Sequence, residues 1–314
     1  MPSYYSKCGG FIFAAGVNKY MYICVNRPFD GLVRVKYSKS ETVNHRDEVS
    51  HNIAREALRL TAIDNGIEIV SVADIAGGTG LGSSSSYAVG LLSALHTLKR
   101  EYLPLADLAE EACRLEIDIL KSPVGKQDQY MAAFGGLTVL EIDKDGQVAV
   151  RKVHASDSTI DDLNRNMLMF YTYTHRDASD ILTGQSRDAS EGNKVVVESM
   201  NRIKEIGYKV LDAVESGNLT DVGLLFDEHW KYKKRISTKM SSQHFDEIYD
   251  YARQNGALGG KISGAGGGGF FLFYVEEHHG KFIEKIRNLG LRHMRYRFDF
   301  DGTKVLINLM DGTF

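Results

Sequence analysis

Scarce cysteine, scarce proline and the lack of a long apolar run separate this sequence from several classes of protein. The chain has 3 cysteines and 4 prolines among its 314 residues, which argues against a disulfide framework and a proline-rich linker and favours a reducing compartment. No apolar run approaches the roughly 20 residues of a membrane-spanning helix, and the N-terminus has no secretory signal pattern. A formal net charge of -3 lends no support to nucleic acid or an anionic membrane as partner. These absences predict a cytoplasmic protein with small-molecule partners.

Length and pattern predict an α+β protein with two domains. Stretches rich in β-branched and aromatic residues alternate with helical patterns such as "SHNIAREALRLTAID" and "LADLAEEACRLEIDIL", and the turn "DKDG" indicates a β-hairpin. Two long helical patterns follow in the second half, before the chain returns to strands. We therefore expect antiparallel sheets, with one lobe over residues 1–160 and a second over residues 161–314.

The stretch "GGTGLGSSSSYAVGLLSAL" from residue 77 to residue 95 is typical of a phosphate-binding loop. Its glycines allow a backbone that curls with N–H groups pointing inward. The leucines of "LLSALHTL" recur at helical spacing and predict a helix with a buried apolar face, whose positive end points at the same place. The serines Ser83–Ser86 can cap this helix, donate to phosphate or offer a hydroxyl to Mg²⁺. The alternative is an ordinary N-cap after a glycine-rich turn. A Walker loop is excluded because Ser83 stands where its lysine belongs.

A second glycine run, "KISGAGGGGFF", matches the dinucleotide pattern G-x-G-x-x-G at Gly264, Gly266 and Gly269. Its context excludes that function, because the apolar stretch "FFLFYV" that follows predicts a strand, whereas a dinucleotide motif opens a helix. We expect this loop to approach a ligand with its backbone or to pack against the first glycine loop. A flexible surface turn is the alternative.

Two carboxylates complete the candidate site. Glu116 falls on the predicted apolar face of its helix, where a bare charge would cost several kcal/mol, so it requires a partner such as a metal ion or a buried arginine. Asp128 lies in the polar stretch "GKQDQY". A phosphate loop, oxygen ligands for Mg²⁺ and a carboxylate that accepts a proton are together the requirements of metal-assisted phosphoryl transfer.

The motifs "GLGSSSS", "GKQDQY" and "KISGAGGGGF", in this order, resemble the later signatures of the GHMP kinases, a family that includes galactokinase, homoserine kinase and mevalonate kinase. Within that family, "PSYYSKCGGFIFAAGVNKY" and "KQDQYMAAFGGL" are similar to sugar kinases that phosphorylate the anomeric hydroxyl of D-glycero-D-manno-heptose 7-phosphate. The resemblance implies a ribosomal-protein S5-like N-terminal lobe and a ferredoxin-like C-terminal lobe, with ATP between them.

The resemblance also implies roles for individual residues. Ser84 and Glu116 would bind Mg²⁺, and Asp128 would be the catalytic residue that faces the substrate hydroxyl. Arg176 would bind the sugar phosphate, with a surface ion pair as the alternative. The residues expected to bind or cover ATP are Gly80, Gly82, Ser83, Ser84, Ser85, Ser86, Gly264, Gly266, Gly267 and Gly268.

One signature of the family has no counterpart in the sequence. A strand with Arg or Lys and a "GGGTD"-like turn is expected before "PSYY", so the sequence either begins after this signature or lacks a sugar-contacting aspartate. Kinases for fucose or mevalonate, and a catalytically inactive regulator that binds sugar or nucleotide, stay open as alternatives. A homodimer also stays open.

Overall fold

The computed structural model describes residues 1–174, 178–237 and 240–309, and it has the expected mixture of helices and strands. None of the helices within these ranges is long and apolar enough to cross a bilayer. The strands in these ranges are β1 Gly10–Ala15, β2 Met21–Asn26, β3 Val33–Lys36, β4 Ser40–Val43, β5 Ile67–Ala73, β6 Leu137–Ile142, β7 Val148–Lys152, β8 Met167–Tyr171, β9 Ala257–Ile262, β10 Phe270–Val275 and β11 Arg292–Met294.

The helices connect these strands and cover their faces. They are α1 Pro2–Cys8, α2 Asn52–Leu60, α3 Ser83–Leu98, α4 Leu105–Cys113, α5 Gln127–Phe134, α6 Asp157–Asn166, α7 Ala178–Ser190, α8 Lys194–Glu215, α9 Leu219–Ile236, α10 Gln243–Gln254 and α11 His279–Asn288. A 3₁₀ turn at Arg46–Glu48 and a π-helical segment at Arg114–Ile119 complete the regular structure of the described ranges.

The chain forms two compact units that are discontinuous in sequence. The first unit contains residues 1–15, 78–81 and 137–298, and the second contains residues 16–77, 82–136 and the described residues from 299 onward. This division differs from the expected one near residue 160, because β6 pairs with β1 and therefore groups the chain after residue 136 with the N-terminus. The two lobes inferred from the sequence stay a prediction.

The second unit is built on a four-stranded sheet with the order β2-β5-β3-β4. Its β2–β5 and β3–β4 pairs are antiparallel, but β3 and β5 are parallel, so the expectation of purely antiparallel sheets is wrong here. The chain passes through α2 between β4 and β5, and such a helical crossover allows the parallel pair. Helix α3 buries Leu91, Leu92 and Leu95, as the apolar pattern predicted.

The first unit contains two sheets. Strands β1, β6 and β7 form one of them, and the β6–β7 pair is the hairpin expected at "DKDG". The other has the order β11-β8-β10-β9 and is antiparallel. Aromatic side chains of β10, α9 and α11 make the core beside this second sheet, including Phe271, Phe273, Trp230 and Phe282. This core supports the glycine loop between β9 and β10.

Helix α9 lies so close to β9 that only glycine fits at the contact. A Cβ atom at Gly259 would stand 2.0 Å from the carbonyl oxygen of Gly223 and 2.6 Å from the amide nitrogen of Asp227. Both neighbours are backbone atoms of α9, so neither can rotate away. The close approach brings the last turns of α9 beside the end of β9.

We predict that Gly259→Ala lowers the free energy of unfolding by about 3 kcal/mol, the upper end of the usual cost of overpacking, because the helix must move away from the strand. Urea denaturation measures this loss. Gly280→Ala is the matched control, since nothing lies within 4 Å of the added carbon in α11. That variant is expected to be neutral or slightly stabilising. Equal stability of the two variants would contradict the close contact.

Candidate active site

The serine-rich helix α3 begins directly at a left-handed glycine. Gly82 has φ +70° and is the N-cap residue before the first helical residue, Ser83, so the N-cap position offers no side chain to the helix. Capping, one of the three roles that the sequence allowed for the serines, is wrong for the N-cap position, because that position is held by Gly82, which has no side chain. The uncapped first turn keeps the positive end of the helix dipole accessible to an anion.

The start of α3 lies against Asp128. A Cβ atom at Gly82 would stand 3.2 Å from both Cβ and Cγ of Asp128, a distance tighter than ordinary packing. The second unit therefore brings the end of the first glycine loop beside the predicted catalytic carboxylate. Close backbone approach explains the glycine at this position in addition to its positive φ.

The four serines lie in different environments. Ser83 and Ser86 are partly buried, Ser84 is exposed and Ser85 is buried. The Ser85 hydroxyl donates to Glu116 Oε2 at 2.7 Å, so Ser85 is the serine that reaches this carboxylate. The exposed position of Ser84 leaves its hydroxyl accessible to a ligand, and its predicted role as a Mg²⁺ ligand stays a prediction.

Glu116 lies in a π-helical segment that continues α4. The sequence predicted one regular helix here, but the α-helix ends at Cys113 and the six residues Arg114–Ile119 form the wider π-helix. Such segments are rare and occur frequently at functional sites. Within this segment Glu116 is only 2% exposed, whereas Asp118 faces solvent. The expectation of a core-facing Glu116 is confirmed.

The partners of Glu116 are neutral hydrogen-bond donors. Besides the Ser85 hydroxyl, the Gln129 side-chain amide donates to Glu116 Oε2 at 2.6 Å. The arginine considered from the sequence is not the partner that the structure provides. Gln129 was missed because it is an ordinary polar residue in a polar stretch, although its place next to Asp128 was a usable signal. Its Oε1 atom is buried without a hydrogen-bond partner among the described residues.

Asp128 lies in the first turn of α5. Burial and the negative charge of Glu116 raise the pKa of Asp128 to about 6. A carboxylate with such a pKa is ionised at neutral pH and is still a better proton acceptor than an ordinary aspartate. The two carboxylates therefore have different environments, one stabilised by hydrogen bonds and the other made more basic.

An ion pair fixes the start of α5. Lys126 Nζ donates to both carboxylate oxygens of Glu110, at 2.7 and 2.8 Å, and the Tyr130 hydroxyl donates to the same carboxylate. These contacts were not predictable from helical periodicity, because Glu110 lies off the apolar face of its helix. Lys126 precedes Asp128 in the chain and Tyr130 follows it, so these contacts with Glu110 join α4 to the first turns of α5.

The two glycine runs meet within the first unit. Gly264 has φ +59°, and a Cβ atom there would stand 2.7 Å from Gly80 Cα; a Cβ atom at Gly269 would stand 2.1 Å from the carbonyl oxygen of Thr79. The interpretation that the second loop packs against the first is confirmed, and the flexible surface turn is wrong. Strand β10 follows this loop, as the sequence predicted.

A lysine side chain binds the backbone at the beginning of the second glycine loop. Lys233 Nζ, at the end of α9, donates to the carbonyl oxygens of Ile262 and Gly264 at 2.9 and 2.7 Å. Burial, with a smaller contribution from the charge of Lys261, lowers the pKa of Lys233 to about 7. Lys233 carries no signal in the sequence that distinguishes it, because it is one of several basic residues at the end of a helix.

Arg176 lies outside the described residues. Its expected contact with a sugar phosphate stays a prediction, as do the roles of the other candidate residues.

Two families of domains match the chain. The GHMP kinases N terminal domain matches residues 49–136, and the GHMP kinases C terminal domain matches residues 210–290. The first range includes Ser84, Glu116 and Asp128, and the second includes the loop that starts at Gly264. The matched ranges thus contain the serine-rich motif, the "GKQDQY" motif and the second glycine run.

Curated relatives are sugar kinases and kinases of other small molecules. A D-glycero-alpha-D-manno-heptose 7-phosphate kinase of Campylobacter jejuni is 30% identical over 203 residues, which are 65% of this chain and 59% of the relative. A bifunctional fucokinase/GDP-fucose pyrophosphorylase of Arabidopsis thaliana is 23% identical over 76% of this chain and 24% of the relative. A galactokinase of Thermococcus kodakarensis is 27% identical over 65% of this chain and 63% of the relative. The chain spans less than two thirds of the length of each.

Solved structures share the fold over nearly the whole chain. A D-glycero-D-manno-heptose 1-phosphate kinase of Bacteroides thetaiotaomicron matches with a TM-score of 0.77 at 23% identity and covers 97% of this chain and 93% of its own. The Lactococcus lactis galactokinase in complex with galactose matches with a TM-score of 0.76 at 18% identity, over 96% and 91%. At these identities the likeness shows a common fold.

We predict that Asp128→Asn raises the free energy of unfolding at pH 8. The raised pKa means that the folded state binds the Asp128 proton more tightly than the unfolded chain, so the stability from this proton is present below about pH 4 and is lost as the pH rises through about 6. Asparagine cannot ionise and avoids the loss. The expected gain is about 1–3 kcal/mol, since one unit of pKa corresponds to about 1.4 kcal/mol.

Urea denaturation at pH 8 and pH 5 measures this gain, which should be smaller at pH 5. Asp118→Asn is the matched control, because Asp118 is an exposed carboxylate in the π-helical segment, and no gain is expected there. An Asp128→Asn variant that is less stable than the wild type at pH 8 would show that the charge of Asp128 is favourable in the folded protein.

Proposed function

This chain belongs to the GHMP kinase family, whose members are phosphotransferases, and from that premise we propose that it is an ATP- and Mg²⁺-dependent kinase for the anomeric hydroxyl of D-glycero-D-manno-heptose 7-phosphate. The substrate is inferred from the name of the Campylobacter jejuni relative and from the motifs it shares with such kinases. ATP as donor is inferred from the family, and Mg²⁺ from the residues of the site.

One observation carries the proposal. In the second unit, Glu116 and Asp128 lie together beside the first turn of α3, where Gly82 packs on Asp128 and Ser85 binds Glu116. A helix N-terminus with hydroxyl groups suits a phosphate, and the carboxylates beside it suit a cation and a reacting hydroxyl. A protein that only binds sugar or nucleotide requires neither a metal-binding carboxylate nor a base, so this arrangement favours the kinase over the regulator.

In the proposed reaction, Asp128 orients the anomeric hydroxyl of the sugar and accepts its proton. The hydroxyl oxygen forms a bond to the γ-phosphorus of ATP as the bond from that phosphorus to the bridging oxygen breaks, and ADP leaves with the electron pair of that bond. The basicity that burial and Glu116 give to Asp128 suits this proton transfer at neutral pH.

The donor set at Glu116 fits magnesium. Mg²⁺ prefers oxygen ligands and is usually bound by one or two carboxylates together with substrate phosphates, and the described residues contain no group of three or more His, Cys, Asp or Glu that would form a separate metal site. Glu116 Oε1 accepts neither the Ser85 nor the Gln129 hydrogen bond, so we assign this oxygen and the Ser84 hydroxyl to the cation. When bound, the cation would neutralise charge on the phosphate oxygens.

The residues of the glycine motifs are assigned to the nucleotide. We assign the triphosphate to the backbone from Gly80 to Ser86 and to the first turn of α3. The family resemblance assigns the loop from Gly264 to Gly268 to covering the nucleotide. Arg176 stays the proposed ligand of the sugar phosphate. A phosphate on the substrate would distinguish the heptose from neutral sugars such as fucose.

We predict that the wild-type chain releases ADP from Mg²⁺-ATP with D-glycero-D-manno-heptose 7-phosphate and not with fucose, galactose or mevalonate, whereas Asp128→Asn lowers kcat by at least about 100-fold, the usual minimum contribution of a general base. A coupled assay of ADP release measures both effects, and calorimetric titration with ATP checks that the variant still binds nucleotide.

Asp118→Asn is again the control and should keep full turnover. If only fucose or only mevalonate is turned over, that compound is the substrate and the proposed heptose phosphate is wrong. Unchanged turnover of Asp128→Asn would remove the proposed role of this residue. Binding of ATP without ADP release for any acceptor would favour the regulator.

A further inference from the structure

The end of α9 carries an ammonium group that touches the second glycine loop at two points. Lys233 Nζ donates to the carbonyl oxygens of Ile262 and Gly264, which flank Ser263 in the chain. The Ser263 hydroxyl is buried without a hydrogen-bond partner among the described residues. One side chain therefore fixes the direction of two carbonyl groups at the beginning of the loop, next to an unsatisfied polar atom.

The part of the loop that Lys233 binds is also where the two glycine runs are in contact. Gly264 packs on Gly80 with backbone against backbone, and a Cβ atom at Gly80 would stand 3.1 Å from the carbonyl oxygen of Ser263. A shift of the Gly264 carbonyl would thus move the backbone that supports Gly80. The two carbonyl groups that Lys233 binds therefore flank the contact between Ser263 and Gly80.

The environment of Lys233 disfavours the charged form of its ammonium group. Lys261 is close enough to lower the pKa of Lys233, and burial lowers the pKa values of both lysines. Neither lysine has a carboxylate within ion-pair distance in the part of the chain that the structure describes. An apolar side chain would fill this place at a lower cost in desolvation. Lys261 Nζ lies 5.1 Å from the centre of the Phe226 ring. When protonated, the two lysines create a positive potential beside the glycine loop that suits an anionic ligand.

We propose that Lys233 is a positioning residue for the nucleotide: its hydrogen bonds to Ile262 and Gly264 hold the second glycine loop, and through Gly264 the Gly80 segment, in the conformation that receives the triphosphate. The inference rests on the proposed kinase function. In this proposal Lys233 binds the carbonyl groups of the loop, and the loop backbone binds the phosphates. A Walker loop instead has a lysine that contacts the phosphates directly, in the position that Ser83 occupies here.

The test compares Lys233→Met with Lys234→Met in the full-length chain. Lys233→Met is expected to weaken Mg²⁺-ATP binding, and to raise KM for ATP, by about tenfold, since the loop loses two charge-assisted hydrogen bonds. KM for the sugar should stay within about twofold. Lys234 is the neighbouring lysine of α9 and pairs with Asp246, so Lys234→Met removes the same charge without touching the loop and should leave ATP binding unchanged.

Two further variants separate positioning from packing. Lys233→Arg retains donors for the two carbonyl groups, so it should bind ATP more tightly than Lys233→Met does. If Lys233 only filled space, the arginine variant would have no advantage over the methionine variant. If Lys233→Met does not fold, Lys233→Gln, which keeps an amide donor and loses the ammonium charge, gives the same comparison with Lys234→Met and should also weaken ATP binding selectively.

Calorimetric titration with Mg²⁺-ATP gives the affinities without any sugar, so this result does not depend on the acceptor. Lys233→Met with wild-type ATP affinity, or equal weakening by the Lys233 and Lys234 variants, would overturn the inference even if the wild type phosphorylates the heptose. Selective weakening in a wild type that binds ATP but phosphorylates no sugar would support the inference and overturn the proposed substrate.

Discussion

A buried carboxylate held by neutral donors is the interaction on which the candidate site depends. Glu116 joins three elements of the second unit, because its Oε2 atom accepts from Ser85 of α3 and Gln129 of α5 while its own backbone is π-helical. Neither donor neutralises its charge. The remaining negative potential contributes to the raised pKa of Asp128, so the same contacts that fix the geometry also set the basicity of the proposed catalytic residue.

In the first unit, the backbones of the two glycine runs lie in direct contact. Side chains at Gly264 or Gly269 would overlap the backbone at Thr79 and Gly80, so the glycines are required by contact as well as by their positive φ. A loop with so few side chains requires support from elsewhere. The buried aromatic core of β10 and α9 packs beside the loop, and Lys233 provides the hydrogen bonds at its beginning.

Local rules predicted much of this protein. The buried leucines of α3, the hairpin at "DKDG" and the strand after the second glycine run followed from periodicity and turn chemistry, and the core-facing position of Glu116 followed from helical spacing. Features that arise from tertiary contacts were not predictable in the same way. The parallel β3–β5 pair depends on the path of a crossover, the π-helical segment departs from the regular helical period, and Gln129 and Lys233 acquire their roles only from atoms distant in the chain.

A crystal structure of the chain with Mg²⁺ and a non-hydrolysable ATP analogue tests the proposed site most directly. We predict a triphosphate at the first turn of α3, with its metal bound to the Glu116 carboxylate. A triphosphate bound away from the start of α3, or a metal held without Glu116, would contradict it.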